Sequence, residues 1–381
     1  MHCRTRRRPI QACRPTIWRP SSTPPERPGR PKGAAGTHRN ILTNYINTGF
    51  RVARAAIRRG DSVPVATGAP RRMLLPMPFF HVTGFHSALM PALANGATLY
   101  LMYKWDAAKA VEMIARERIN GLTLVPTLAW QLVDAADAGV DFSSVDTVAY
   151  GGAAAAPELA QRVREAFPKA WPGQGYGATE TSSLVAANSH EDQMLRPGSV
   201  GTAVPCCDTR VVDADGRDVA AGEPGELWVR GPNVVTGYWN MAEATEEAFA
   251  DGWYRTGDVV RIDGDGFIFV LDRIKDMLIR GGENIYCVEI EDCLASHPDV
   301  VEAAVFGLPE RVLGEVVGAA VHLRPGSTAD AAALADHVRA RLAAHKVPVR
   351  IEIHADPLPR NATGKLLKKD IRAALLAEGE R

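Results

Sequence analysis

Between residues 71 and 167 the chain alternates short apolar runs with helical ones, and this alternation restricts its fold more than any other feature. "RRMLLPMPFFHVTGFHSALMPALANGATLYLM" reads strand, turn, helix, strand. "DAAKAVEMIARERINGLTLVPTLAWQLVDAA" reads helix, strand, helix, and "VDTVAYGGAAAAPELAQRVREAF" reads strand, glycine turn, helix. Strands separated by helices pair in parallel, with the helices as crossovers. Upstream, "THRNILTNYINTGFRVARAAIRRGD" has helical spacing, with Ile41, Tyr45 and Ile46 on one face and Gly60 as its stop. From about Pro197 the texture changes. "GELWVRGPNVV", "GWYRTGDVVRID" and "GFIFVLDR" predict short antiparallel strands, and "DGDG" at residues 263–266 a hairpin turn rather than a calcium loop, because the EF-hand spacing is absent.

The last section predicts helices over 288–296, 330–344 and 367–377 and strands over 300–306, 318–323 and 349–354. The expected fold class is therefore α/β. A partial large domain, mostly parallel sheet with helices plus a small antiparallel β subdomain, is followed by a small α+β domain. The expected division is 1–28, 29–271 and 272–381.

With 46% apolar and 23% charged residues in 381, the chain has the material for a large core. Lysine plus arginine equals aspartate plus glutamate at 44 each, which gives no basis for a nucleic-acid or anionic-membrane partner. The six cysteines form no C-x-x-C pair, so a disulfide scaffold or zinc ribbon is not expected, and reduced thiols fit a cytoplasmic setting. No apolar run approaches the roughly 18–20 residues of a membrane span. Residues 1–28 stand apart: rich in Arg and Pro, with Glu26 the one acid, they are expected to be disordered. A basic nucleic-acid arm is the competing reading there and carries little weight.

Five stretches carry chemistry. In "GRPKGAAG", Gly29, Gly33 and Gly36 surround Lys32, as in a loop whose backbone N–H groups approach a polyphosphate; alone it reads first as a basic surface turn. "GYGATE" puts Tyr176, Gly177, Thr179 and Glu180 in one loop: a stacking ring, a hydroxyl donor and a carboxylate suited to a metal. A polar turn explains it equally well in isolation. In "GWYRTGDVV", Asp258 sits among apolar residues, where a carboxylate is costly unless it binds something such as a ribose diol or caps a turn with Thr256. Asp272, Arg273, Lys275 and Asp276 precede a Gly281–Gly282 turn, suiting a hinge or a solvated linker. Lys365 follows a Thr-Gly turn, where a lone lysine is ordinarily a solvated side chain.

Taken together in this order, "GRPKG", "PFFHVTGFHS", "GGAAA", "GYGATE", "GELWVRGPNVVTGYW", "WYRTGD", "DRIKDMLIRGGENIYCVEIE" and "PRNATGK" resemble the adenylate-forming superfamily, on its acyl-CoA synthetase branch. The resemblance runs from Gly29 to about Ala377. It implies an AMP-forming acid–thiol ligase using ATP, Mg²⁺ and coenzyme A on a carboxylic, fatty-type acid. Aryl-acid ligases and carrier-loading adenylation domains are the alternatives, and a non-catalytic nucleotide-binding remnant is a third.

By resemblance, Lys365 bridges the carboxylate and the α-phosphate, Thr179 contacts phosphate and Glu180 holds Mg²⁺. Tyr176 lies against the adenine, Gly177 follows it, and Gly152 and Ala153 line the other side. Asp258 takes the ribose hydroxyls with help from Arg273. His81, Gly84, Val125 and Gly151 match acid-pocket or gate positions, and a gate and packing role is preferred over a metal for His81 and His86. The small domain turns about Asp272 and brings Gly281, Gly282 and Glu283 to the nucleotide.

Relatives carry a further subdomain and a hydroxyl-rich run before "GRPKG". One choice of codons for residues 15–28, read two bases on, spells a buried strand entering such a run, so a frameshift before Gly29 is the expectation. Lys32 is then the remnant of its loop, and weak or absent activity is expected of the polypeptide as written.

Overall fold

The computed structural model describes residues 16–18, 32–63, 70–136, 139–153, 155–360 and 366–379. Among them, one 12-stranded sheet carries most of the chain. Strands Thr98–Tyr100, Arg72–Leu74, Gly121–Leu124, Thr147–Gly151 and Trp171–Ala178 lie side by side in that order, all parallel. Helices Ala107–Glu117, Pro126–Ala135 and Glu158–Ala166 connect them. Local chemistry starts the first two: the Asp106 side chain accepts from the Lys109 N–H, and Pro126 opens the second where its missing N–H costs nothing. The core here closes on Leu122, Leu124, Leu132, Val148, Leu159 and Phe167.

Strand Ser183–Ala187 folds back antiparallel on Trp171–Ala178. Gly201–Ala203, Phe267–Arg273, Trp253–Ile262, Gly225–Arg230 and Asp208–Val212 then follow, each antiparallel to its neighbour. The antiparallel strands thus extend the same sheet rather than forming a layer of their own. Residues 263–266 make the expected hairpin turn, with Asp263 Oδ1 accepting from the N–H groups of Asp265 and Phe267 at 3.0 and 2.9 Å.

A second, five-stranded sheet begins at Leu278–Arg280. Its long pair, Val300–Glu310 and Gly314–Leu323, exceeds the predicted strands at the hairpin end. Arg350–His354 joins in parallel. Alternate residues of the long pair face opposite ways. Val305, Val317 and Val321 pack with the helices Cys287–Ala295 and Ala331–Arg339, while Ala304, Phe306 and Ala320 pack with Ile371 and Leu375 of the helix Lys368–Gly379. The middle helix stops at Arg339, short of the predicted 344, and a separate turn forms at Ala344–Lys346.

The helix His38–Arg58 forms as its spacing predicts, and it buries a polar face. Thr37 and Asn40 form a capping box at its start. Its buried residues are Asn40, Thr43, Asn44, Asn47 and Ala56, whereas Ile46 is 61% exposed. Asn40 and Asn44 face inward because each reaches a strand or loop, whereas the buried Asn47 amide has no hydrogen-bond partner among the described residues. Asn40 Nδ2 donates to the carbonyls of Pro232 and Val234, and Asn44 donates to the His86 carbonyl and accepts from the Leu184 N–H. Arg54 and Arg58 continue this face onto buried Asp192.

Of the segment expected to be disordered, Thr16–Trp18 is a strand paired antiparallel with Ala34–Gly36. Three bulky or β-branched residues in a row suit a strand. The rest of 1–28 lies outside the described residues. Among the described residues no helix is long and apolar enough to cross a membrane, and Cys206, Cys207, Cys287 and Cys293 are free thiols.

Asp292 carries a pH dependence. Burial, with Glu291 and then Glu158 as nearby negative charges, pushes its carboxyl up to about 7 from an ordinary 3.8. The folded state therefore holds a proton that the unfolded chain releases, so this contribution to stability is full below about pH 4 and is lost as pH rises to about 7. Asp292→Asn is expected to flatten urea-denaturation midpoints across that window. A slope equal to that of the parent chain would sink the assignment.

Candidate active site

The predicted residues converge where the parallel and antiparallel halves of the large sheet meet. Tyr176 is on the last parallel strand, and its hydroxyl donates to Asp258 Oδ2 at 2.6 Å. Asp258 is 8% exposed on Trp253–Ile262, and its Oδ1 pairs with Arg273 Nε at 3.1 Å from the facing strand. Arg273 stands directly opposite Asp258 in the register, which is why the pair forms. Burial and then the Asp258 charge hold the Tyr176 phenol well above its ordinary range. Thr256 ties this loop down, donating to the Leu227 carbonyl and accepting from the Asp258 N–H.

Gly177 must be glycine: a Cβ there would overlap the Ser183 carbonyl, where the strand shifts register. The kink delivers the turn Thr179–Thr181 beside the strand Ala34–Gly36. A cavity of about 40 Å³ lies between Thr179 and Ser182 on one side and Ala34, Gly36 and Ile41 on the other, with Phe85, His86 and Val235 completing it.

Lys32 is held near this turn. Its Nζ lies 4.9 Å from the ring centroid of Tyr238, whose hydroxyl donates to Glu180 Oε1 at 2.7 Å. Backbone bonds fix the arrangement: Trp239 N–H to the Gly33 carbonyl, Ala35 N–H to Gly237, and Val235 N–H to Glu180. Burial and then Glu180 raise the Tyr238 phenol far above its usual value.

Tyr238 and Tyr254 were not singled out from the sequence. Tyr254, 6% exposed, is raised first by burial and then by Glu180, Tyr238, Asp258 and Tyr176 together. It shares a strand with Asp258, and its ring centroid lies 5.1 Å from that of Phe249, which lies 5.6 Å from that of Tyr238. A signal for it existed: Tyr254, Thr256 and Asp258 alternate along one strand, the spacing that puts three side chains on one face.

Of the positions expected to form the acid pocket, His81 and Val125 lie beside Gly152, whose φ is +83°. A Cβ there would lie 3.4 Å from Thr83 Oγ1 and 3.8 Å from both His81 Cε1 and Val125 Cγ1. Thr83 is thus an addition to the predicted set. His81 Nδ1 accepts from the Thr83 N–H, and burial lowers the ring's pKa, so it sits neutral. Gly84 is packed against the Pro78 carbonyl and Gly151 against Gly175, so both shape backbone rather than present a side chain. His86 is buried and hydrogen-bonds the Ser182 carbonyl at 3.2 Å. Ala153 is exposed beside Gly152.

Asp272 is 2% exposed at the end of the large sheet. It accepts from the Arg273 N–H at 2.8 Å and from the Cys287 N–H, the first of the helix Cys287–Ala295, so it caps that helix. Gly281 and Gly282, both at positive φ, turn the hairpin between Leu278–Arg280 and Glu283–Ile285, with Glu283 exposed. Lys365 lies outside the described residues.

The donor set fits a magnesium nucleotide. A buried carboxylate with a tyrosine and an arginine suits a ribose. A lysine, a threonine and loop N–H groups suit phosphates, and Glu180 has one oxygen on Tyr238, with no described partner on the other.

The AMP-binding enzyme profile matches residues 28–239, and that of the AMP-binding enzyme C-terminal domain matches 289–365. The chain belongs to the AMP-binding enzyme family. It is 38% identical over 347 residues to the indoleacetate–CoA ligase of Aromatoleum aromaticum, covering 90% of this chain and 64% of that one. It is 35% identical to the long-chain-fatty-acid–CoA ligase of Yersinia pestis, covering 90% and 59%. The O-succinylbenzoate coenzyme A synthetase of Bacillus subtilis, solved with ATP and magnesium, superposes with a TM-score of 0.76 at 33% identity over 90% of this chain and 67% of that one. The chain thus spans about two thirds or less of the length of these relatives.

Proposed function

We propose that this site is that of an AMP-forming acid–CoA ligase, in which ATP and a carboxylic acid give an acyl-adenylate and pyrophosphate, and coenzyme A then gives acyl-CoA and AMP. The observation that carries this reading is that the Tyr176–Asp258–Arg273 group and the Lys32–Tyr238–Glu180 group are linked by the ring contacts Tyr238–Phe249 and Phe249–Tyr254, on the strand that also bears Asp258. A ribose-sized polar face and a phosphate-sized one then lie in one site. Asp258 accepts from the ribose hydroxyls, and Arg273 pairs with it. Tyr176 and Gly152–Ala153 flank the adenine. Glu180 holds Mg²⁺, which would neutralise phosphate charge when bound. Thr179 and Lys32 orient phosphate oxygens.

In the first step an acid oxygen attacks the α-phosphorus while the bond to pyrophosphate breaks. Two anions approach, so positioning and positive charge dominate. In the second step the thiol sulfur attacks the acyl carbon and AMP leaves. We place the boundary of the smaller domain at Asp272, about which it turns between steps to bring Gly281, Gly282 and Glu283 to the nucleotide. Lys365, carried over from the resemblance, serves the first step alone. Lys365→Ala is therefore expected to abolish adenylate formation and largely spare thioester formation from supplied acyl-AMP. Equal loss of both would remove that role.

The acid pocket, with neutral His81, Thr83, Val125 and Gly152, is uncharged and suits an apolar acid. We read the substrate as a fatty acid from the "HVTGFHSALMPAL" stretch. The 38% identity to an indoleacetate ligase favours an aromatic acid as the second reading. ATP–pyrophosphate exchange with aliphatic and aromatic acids, with and without coenzyme A, separates the two. AMP binding without exchange on any acid would instead mark a nucleotide-binding remnant.

A further inference from the structure

Glu180 is a half-buried carboxylate without a cation of its own. Asp192 pairs with Arg54 and Arg58, Asp258 with Arg273, and Glu291 with Lys368. Glu180 forms no ion pair among the described residues; its Oε1 accepts from the neutral Tyr238 hydroxyl at 2.7 Å. A cation is nevertheless close. Lys32 Nζ lies over the Tyr238 ring, 4.9 Å from its centroid, and not on the carboxylate. One aromatic side chain thus carries the carboxylate on its hydroxyl and the lysine on its face.

Local structure fixes Tyr238 in this place. Its N–H donates to Thr245 Oγ1 at 2.9 Å, and the Thr245 hydroxyl donates in turn to the Met241 carbonyl at 2.8 Å. Gly237, at φ +141°, leaves room for that threonine, because a Cβ there would lie 2.4 Å from Thr245 Cγ2. The Tyr238 ring meets Phe249 edge-on at 5.6 Å. Three residues earlier, the Val235 N–H donates to the Glu180 carbonyl at 2.8 Å. Backbone and side chain of Glu180 are therefore both tied to the segment 235–238. A free glutamate side chain samples many rotamers, and these two ties restrict it to few before any ligand arrives.

We propose that Tyr238 is a positioning residue for the divalent cation of the nucleotide: its hydroxyl fixes one Glu180 oxygen and leaves the other to take the metal. The inference rests on the reading of Glu180 as the metal ligand. An ion pair with Lys32 would fix the glutamate equally well, but it would cancel the charge that a divalent cation needs. A phenol fixes it and leaves that charge in place. The ring also holds Lys32 off the carboxylate, so the lysine keeps its charge for phosphate.

Calorimetric titration of the full chain with α,β-methylene-ATP, whose α–β bridge is not cleaved, is the test, run once in EDTA and once in excess Mn²⁺. Tyr238→Phe keeps the ring under Lys32 and removes only the hydroxyl. Its affinity in EDTA is expected to match that of the parent chain, while the tightening produced by Mn²⁺ falls about tenfold. Glu180→Gln should by itself lose most of that tightening, and adding Tyr238→Phe to it should cost nothing more. An equal fall in EDTA and in Mn²⁺ would make the hydroxyl a support of the fold and overturns the proposal. Undiminished tightening in Tyr238→Phe overturns it too, while leaving Glu180 as the ligand, and so does a further loss in the double variant. A parent chain that Mn²⁺ does not tighten at all overturns the reading of Glu180 itself, and the proposal with it.

Discussion

Asp258→Asn is expected to weaken AMP binding by about ten- to a hundredfold while leaving the fold intact. Asparagine keeps the shape and an acceptor for the Tyr176 hydroxyl, but it loses the charge that pairs with Arg273 at 3.1 Å and that would accept from ribose. Hydrogen bonds to a charged group contribute about 1.5–3 kcal/mol, which sets the size of the loss. Calorimetric titration with AMP measures it. A second readout reports the local electrostatics without any ligand. The Tyr176 phenol is raised first by burial and next by the Asp258 charge. Removing the charge is therefore expected to lower its titration midpoint, followed by phenolate absorbance, though burial keeps it above the ordinary tyrosine value. An unchanged AMP affinity together with a lowered phenol midpoint would keep the local geometry and discard the ribose role.

Much of this site was legible because its residues announce themselves locally. Glycines at 152 and 177, a carboxylate set among apolar residues at 258 and a Thr-Glu step after a strand are short-range anomalies, and each is costly without a use. What stayed hidden depends on long-range pairing. Tyr238 meets Glu180 across 58 residues of sequence, and nothing near Tyr238 distinguishes it from a core aromatic. The alternation of strand and helix between 71 and 167 gave the parallel half of the sheet, since each crossover is local. That the antiparallel strands would extend the same sheet follows from Ser183–Ala187 adding to Trp171–Ala178, a pairing no periodicity encodes.

The helix His38–Arg58 forms where its spacing predicts, but that spacing did not say which face it buries. Period 3.6 fixes which residues share a face, but which face is buried depends on what packs against it. Here the Asn40 and Asn44 amides found carbonyls on neighbouring segments, and Ile46 was left outside.

Lys368→Met is expected to destabilise the chain by about 3–5 kcal/mol, the cost of removing one partner of a largely buried ion pair. Lys368 Nζ lies 2.6 Å from Glu291 Oε1, and the two side chains are 21% and 18% exposed. Burial alone would lower the ammonium's pKa, but Glu291, and less strongly Asp272, outweigh it and hold Lys368 above its usual range. The pair spans the small domain from the start of its last helix to the helix Cys287–Ala295, whose first N–H is capped by Asp272. Methionine keeps the volume and leaves Glu291 buried without its cation. Urea denaturation reads the loss. Adding Glu291→Leu should recover most of it, because the desolvation cost of the carboxylate disappears with the carboxylate. A double variant no better than Lys368→Met would mean that packing of the lysine stem, not the ion pair, carries the stability. Because Lys368 also acts on Asp272, the single variant should push that carboxyl higher still and weaken the cap it makes. The expected sign of this is earlier hydrogen exchange at Cys287 than at Leu334, which sits in the same core but is tied to neither group.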